Sequence, residues 1–216
     1  NNITDLLADA LNENISLESL TVSSCKIKDN GALALVKGIK TSPIQSLFLG
    51  SNNITFELNN IEALLTHALK GNTALKSLDL RTCKINRKGV LALLNAVKSC
   101  CITKINLSSN TCNTRINPSF VDFQKALNHS LLEELDLSDT LITHFSEELA
   151  LFLRRVNTTL IQLKLSLRSH TKGFRLVNKL LLRNQSYREW HREIDQYLIT
   201  TKKALPASTQ SQPSSS

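Results

Sequence analysis

The sequence predicts an α/β solenoid, a curved horseshoe with parallel strands on its concave face and helices on its convex face. Three observations predict it. A short apolar signature recurs, beginning at Leu17, Ile44, Leu75, Ile102, Leu132 and Leu160. The steps are 27, 31, 27, 30 and 28 residues, while steps of two are steadier at 58, 58, 57 and 58. Between the signatures lie apolar stretches of helical period. One strand and one helix per repeat imply parallel strands with right-handed crossovers. Stacked repeats then form a quasi-one-dimensional array. Helices are wider than strands, so the array should curve with its strands inside.

Residues 3–12 open the chain as a helix, because Ile3, Leu6, Leu7, Ala10 and Leu11 fall on one face. They are expected to be the helical half of a repeat whose strand lies outside the sequence, so the chain reads as a piece of a longer one. The clearest unit is residues 75–85, of pattern L-x-x-L-x-L-x-x-C-x-I. Leu75, Leu78 and Leu80 should point inward and Cys83 should close the turn. The matching turn positions hold Cys25, Asn52, Cys83 and Asn110, then Thr140 and Arg168. Cysteine and asparagine alternate, so the true period is a pair of unequal repeats. A turn asparagine can bond the exposed backbone of a neighbouring coil, and cysteine fills the same small volume with a weak donor. Helices are expected at about 30–41, 57–70, 87–98, 117–128 and 145–156. The solenoid should occupy residues 1–170.

Beyond residue 170 the register is lost. Residues 171–183 and 187–199 read as two basic amphipathic helices, with Phe174 and Trp190 among their apolar residues. A solenoid exposes apolar surface at its last turn, so these helices are expected to cap it. Residues 200–216 are rich in Ser, Thr and Gln and are expected to be disordered.

Composition sets further bounds. The chain has 216 residues, of which 41% are hydrophobic but only 5% aromatic, and it has no Met. The core must be largely aliphatic. No apolar run is long enough for a transmembrane helix, and the first residues lack the pattern of a signal peptide. The five cysteines (25, 83, 100, 101 and 112) form neither a disulfide nor a zinc framework. Reduced thiols and a cytoplasmic setting are expected. Residues 1–153 carry 14 Lys/Arg against 15 Asp/Glu, whereas residues 154–216 carry 12 against 3. The net charge of +8 is therefore a property of the C-terminal part.

The signature L-x-x-L-x-L-x-x-(N/C)-x-(L/I), the steps near 28 residues and the Cys/Asn alternation resemble leucine-rich repeats. The likeness is to the long, ribonuclease-inhibitor-like class, also found in the sensor domains of NOD-like receptors. It covers about residues 3–170, with Arg168 and His170 departing from the pattern in the last repeat. The resemblance implies the horseshoe and a protein-binding role. The repeats, the composition and the Ser/Thr tail also resemble effectors that intracellular bacteria such as Legionella deliver into the host cytosol.

No Gly-rich phosphate loop, H-E-x-x-H or G-x-S-x-G motif is present. Neither a metal nor a cofactor is expected, and the chain reads as non-enzymatic. Glu133, Glu134, Asp136 and Asp139 read as solvated acids rather than a metal site. Function is instead expected on the concave strand face. One column there runs Thr21, Phe48, Asp79, Asn106, Asp136, Lys164; Lys104 and Glu134 lie in the column before it, Arg81 in the one after. Aromatic and arginine residues are enriched at binding hot spots. The expected contact set is thus Phe48, Asp79, Arg81, Lys104, Asn106, Glu134, Asp136 and Lys164, facing a protein partner, with the chain itself monomeric. Reversing Asp79 and Asp136 to Lys is expected to weaken binding without changing the melting temperature. A further expectation places nucleic-acid or anionic-membrane binding on the basic C-terminal region, with steep loss of affinity in salt.

Overall fold

A computed structural model describes residues 2–110, 120–127, 130–140, 160–165, 181–186 and 189. The elements in order are α1 (Asn2–Asn12), β1 (Ser19–Thr21), α2 (Asp29–Gly38), β2 (Ser46–Phe48), α3 (Ile61–Leu69), β3 (Ser77–Asp79), α4 (Arg87–Ala96, with a 3₁₀ turn at Val97–Ser99), β4 (Lys104–Asn106), α5 (Phe120–Leu127), β5 (Glu134–Leu137) and β6 (Gln162–Leu165). The strands form one six-stranded sheet in chain order. Every pair is parallel and in register, so Leu20, Leu47, Leu78, Ile105, Leu135 and Leu163 form one row across it. The helices pack in the same order, α1 on α2 through α4 on α5.

Each strand is only three or four residues long. The signature leucine two positions earlier, as at Leu75 and Leu132, is buried in the turn that leads into the strand. Helix α3 begins at Ile61 rather than near residue 57, because Asn60 sits in the left-handed region and resets the chain direction. The expected helix at 145–156 lies outside the described residues. So do most of the two cap helices, the Trp190 side chain and the tail at 200–216. Residues 181–186 are helical through positions where the periodicity placed a break. Leu181 there is buried, and Asn184 Nδ2 donates to the Leu160 carbonyl at 2.8 Å.

The core lies between sheet and helices and is aliphatic. Leu47 and Leu49, Leu78 and Leu80, Ile105 and Leu107, and Leu135 and Leu137 point inward as strand pairs. They meet Leu35, Ile39, Leu65, Leu69, Leu93 and Val97 from the helices. Leu78 is 3% exposed, and its truncation to Ala is expected to cost about 2–5 kcal/mol, read as a lower thermal midpoint.

Backbone geometry repeats with the sequence. Ser24, Ser51, Thr82, Ser109 and Asp139 all have φ between 54° and 58°, each just before the turn position. This left-handed residue turns the chain out of the strand. It leaves backbone groups that the next residue must satisfy. Asn52 Oδ1 accepts from the amides of Cys25 and Ile27 at 2.9 and 3.0 Å, and Nδ2 donates to the carbonyls of Val22 and Leu49 at 2.9 and 2.7 Å. Asn110 does the same one period later, with Cys83, Ile85, Leu80 and Leu107 at 2.8–3.0 Å. Each asparagine therefore ties its own coil to the one before it. Cys83 Sγ instead donates to the Leu49 carbonyl at 3.2 Å. Thr140 Oγ1 donates to Leu137 in its own coil.

Burial pushes the Cys83 and Cys100 thiols above their usual pKa range. Cys25, at the exposed first coil, has no such cover. Among these three, a thiol reagent at neutral pH is expected to label Cys25 quickly and Cys83 and Cys100 only on unfolding. Mass spectrometry of digested, timed samples would show the order. The raised thiols hold their protons more tightly when folded. Their stabilising effect is present below the ordinary thiol range and fades as pH rises above it.

Candidate functional site

The strand face displays two rows that the register fixes. Ser19, Ser46, Ser77, Lys104, Glu134 and Gln162 form one; Thr21, Phe48, Asp79, Asn106, Asp136 and Lys164 form the other. Strand alternation points both away from the leucine row. Seven of the eight expected contact residues line one shallow depression of about 220 Å³: Phe48, Asp79, Lys104, Asn106, Glu134, Asp136 and Lys164. Ser77 and Gln162 complete its rim. Arg81 stands apart. Its aliphatic stem lies over Gly50 of the preceding coil, where a Cβ would come within 3.0 Å of Cγ.

The charges on this face are largely paired among themselves. Lys104 Nζ lies 2.8 Å from Glu134 Oε1, and Lys164 Nζ lies 3.7 Å from Asp136 Oδ2. Both pairs join residues that the register sets side by side on neighbouring strands. Arg81 Nε lies 3.6 Å from Asp79 Oδ2 within one coil. The hydrogen bond from Lys104 to Glu134 raises the ammonium's pKa above the ordinary lysine range. That contribution is present at neutral pH and is lost only as pH rises through the raised value. The Lys104–Glu134 pair, exposed on both sides, adds little to stability. The pairs leave a face that is polar yet nearly neutral.

The second row does local work as well. Asp79 Oδ1 accepts from the Arg81 amide at 2.9 Å, Asn106 Oδ1 from Ser108 at 3.0 Å, and Asp136 Oδ1 from Ser138 at 2.9 Å. In each case a short polar side chain caps the strand end two residues on. Asp79 lies on this face as expected from alternation, but it is only 7% exposed. Reversing it to Lys would remove the cap and leave Arg81 without its carboxylate, so the melting temperature should fall. The double reversal of Asp79 and Asp136 is therefore not a clean binding test.

Reading the sequence alone passed over a second polar site. Asp29, 7% exposed, accepts from the Thr55 amide (2.7 Å), the Thr55 hydroxyl (3.1 Å), and the Phe56 and Glu57 amides (3.0 and 3.1 Å). It clamps the loop of the next coil. The available signal was an acid in the first turn of a helix; nothing in the spacing said which loop it would hold. A larger depression of about 740 Å³ lies on the helix side, lined by residues such as Asn60, Glu62, Asn86, Leu91 and Lys125. None of the expected contact residues lines it. Among the described residues no group of three His, Cys, Asp or Glu is placed to hold a metal ion, and no helix is long and apolar enough to cross a membrane.

A sheet grown by one short strand per coil, with helices outside and an asparagine under alternate turns, is a leucine-rich-repeat solenoid. The family model described as Leucine Rich repeat matches residues 13–36 and 71–94, two copies of the same stretch one double repeat apart. The chain thus carries leucine-rich repeats within a leucine-rich-repeat fold. Solved structures share its fold, and two of them serve as examples. One, described as leiomodin-1 actin-binding site 2, is 18% identical with a TM-score of 0.56, over 91% of this chain and 96% of that one. The other, the tropomodulin C-terminal domain of Caenorhabditis elegans, is 12% identical with a TM-score of 0.52, over 88% and 97%. No curated protein matches the chain.

Proposed function

We propose that the protein is a binding scaffold that holds a protein partner on its strand face. The observation that carries this reading is the register. Four of the six strands, β2, β4, β5 and β6, bring Phe48, Lys104, Asn106, Glu134, Asp136 and Lys164 into one depression on the sheet. Phe48 is the half-buried aromatic at one end of that depression, and a rigid aromatic anchor beside polar neighbours is the usual make-up of a hot spot. The likeness to a domain named for actin binding supports the class, a protein-binding solenoid, and makes actin one partner to include in a test. Paired charges on the face favour a partner that meets polar and apolar groups in a shaped surface over one drawn by a strong field.

Capture from a cell lysate, with and without nuclease and at two salt concentrations, tests the reading. A discrete protein should be retained in every condition. Phe48→Ala or Lys104→Glu should weaken its binding about tenfold or more. Both residues lie outside the core, so the melting temperature should move by only a few degrees (about 3 °C or less). Unchanged affinity in both variants would remove the strand face as the site. Capture that vanishes with nuclease or salt would move binding to the basic residues after 154.

A further inference from the structure

One edge of the solenoid, where each helix ends and the next strand begins, differs in charge from the rest of the repeats. Over three successive coils the connections at residues 39–46, 69–77 and 97–104 hold Lys40, Lys70, Lys76, Lys98 and Lys104, and no Asp or Glu. The strip is bounded on both sides. The connection before it carries Glu13 and Glu18, and the one after it carries Glu133. The near balance of charge over residues 1–153 conceals this segregation. Strands β2, β3 and β4 each have a neighbour on both sides, so the strip does not depend on an end of the array.

A cation beside a helix C-terminus is ordinary, because the carbonyls there are unpaired. Lys98 is of that kind: its ammonium donates to Asn95 Oδ1 at 3.0 Å and to the Lys125 carbonyl. Lys104 is held by Glu134. The other three are exposed and, among the described residues, meet no carboxylate. Lys76 reaches only the Thr73 carbonyl, at 3.1 Å. Lys40 lays its stem across the next coil, where a Cβ on Gly71 would lie 3.4 Å from its Cε; Gly71 directly follows Lys70. Two like charges are thus drawn to one turn, and they repel unless an anion lies between them. Beside them runs an apolar column. The residue just before the strand signature is Pro43, Ala74, Cys101 and Leu131 in four successive coils. Each is partly exposed, Leu131 by 51%. Each stands three residues before a registered strand position, so the four form a line with neighbours about 5 Å apart. Apolar residues scattered singly over a surface are normal; a line of them in the same strip as unpaired lysines is an amphipathic surface.

We propose that this edge is a membrane-contact surface, which sets the repeats edge-on against a bilayer of anionic lipids. Lys40, Lys70 and Lys76 meet the charged groups of the lipid headgroups, and the column from Pro43 to Leu131 enters the layer beneath them. Ammonium groups on long apolar stems, next to small apolar tips, suit the boundary between headgroups and acyl chains. Each lysine close to an anionic bilayer strengthens binding about fivefold, and salt weakens that attraction. The three connections contain no aromatic residue on which an unpaired nucleic-acid base could stack. A linear acidic peptide would meet the lysines but leave the apolar column in water. This surface is distinct from the strand-face depression and from the basic residues after 154, and it stands whether or not either of those binds a partner.

The test is flotation of the full chain with phosphatidylcholine vesicles that do or do not contain phosphatidylserine. Binding to the phosphatidylserine vesicles is expected, falling as salt rises. Lys70→Glu together with Lys76→Glu should weaken it about tenfold or more, and Leu131→Asp should weaken it about tenfold with the salt dependence unchanged. All three residues are exposed, so the melting temperature should hold. Lys28→Glu together with Lys84→Glu, on the opposite edge, changes the net charge equally and should bind as before. Equal losses in the two double variants would overturn the proposal, because overall charge and not this edge would then carry the binding. So would equal flotation without phosphatidylserine, or none with it. Saturable binding of a polyglutamate peptide that the vesicles do not displace would also overturn it, since an acidic protein segment would then be the occupant.

Discussion

Asn110→Ala is expected to lower the free energy of unfolding by about 3–5 kcal/mol, because it orphans two amides and two carbonyls in a site only 2% exposed. The loss exceeds that of an ordinary side-chain hydrogen bond, because water cannot reach the four groups left behind. Asn106→Ala supplies the control. Asn106 caps its strand at a half-exposed position, and its loss should cost about 1 kcal/mol. Urea titration of both variants reads the difference through the midpoint at constant slope. Equal midpoints would mean that the turn asparagine is not what ties these coils together.

Gly38→Val should be nearly as damaging, at about 3 kcal/mol, and for the opposite reason. A Cβ at Gly38 would sit 2.7 Å from the Ala8 Cα and 2.8 Å from its carbonyl carbon. Backbone, not a flexible side chain, occupies the space, so α1 must lift off α2. The same place in α4 is Ala96, fully buried, so the close approach belongs to the α1–α2 contact alone. The expected signature is local: hydrogen exchange should accelerate across α1 before the sheet is affected. Uniform exchange across the chain would argue against a displaced helix.

Much of this architecture was legible because a repeat states each fact several times. The row Leu20 to Leu163, the strand order and the burial of Leu75, Leu78 and Leu80 all follow from periodicity. The bonding of Asn52 and Asn110 was foreseeable from what a carboxamide can donate and accept. Asp79 was less legible. Alternation placed it on the face, but its exposure depends on the Arg81 side chain beside it and on a bond to the residue two further on. The pairing of Lys104 with Glu134 needed the register between two coils, which periodicity supplies, to be read across rather than along the chain. Asp29 depended on the path of a loop some 26 residues away, and Gly38 on how closely two helices approach. Neither is a property of spacing.

The alternation of turn residues limits how such a chain can change length. Asn52 reaches back to Cys25 and Ile27, and Asn110 to Cys83 and Ile85. Coils one and two thus form one joined pair, coils three and four another, while the seam between the pairs rests on Cys83 at the turn. Deleting the second or the third coil alone would set two cysteines or two asparagines in succession and leave one turn without its complement. Deleting or copying a pair restores every junction unchanged. The heritable unit of growth for this molecule is the double coil, and natural or engineered variants that differ in length should do so in whole pairs.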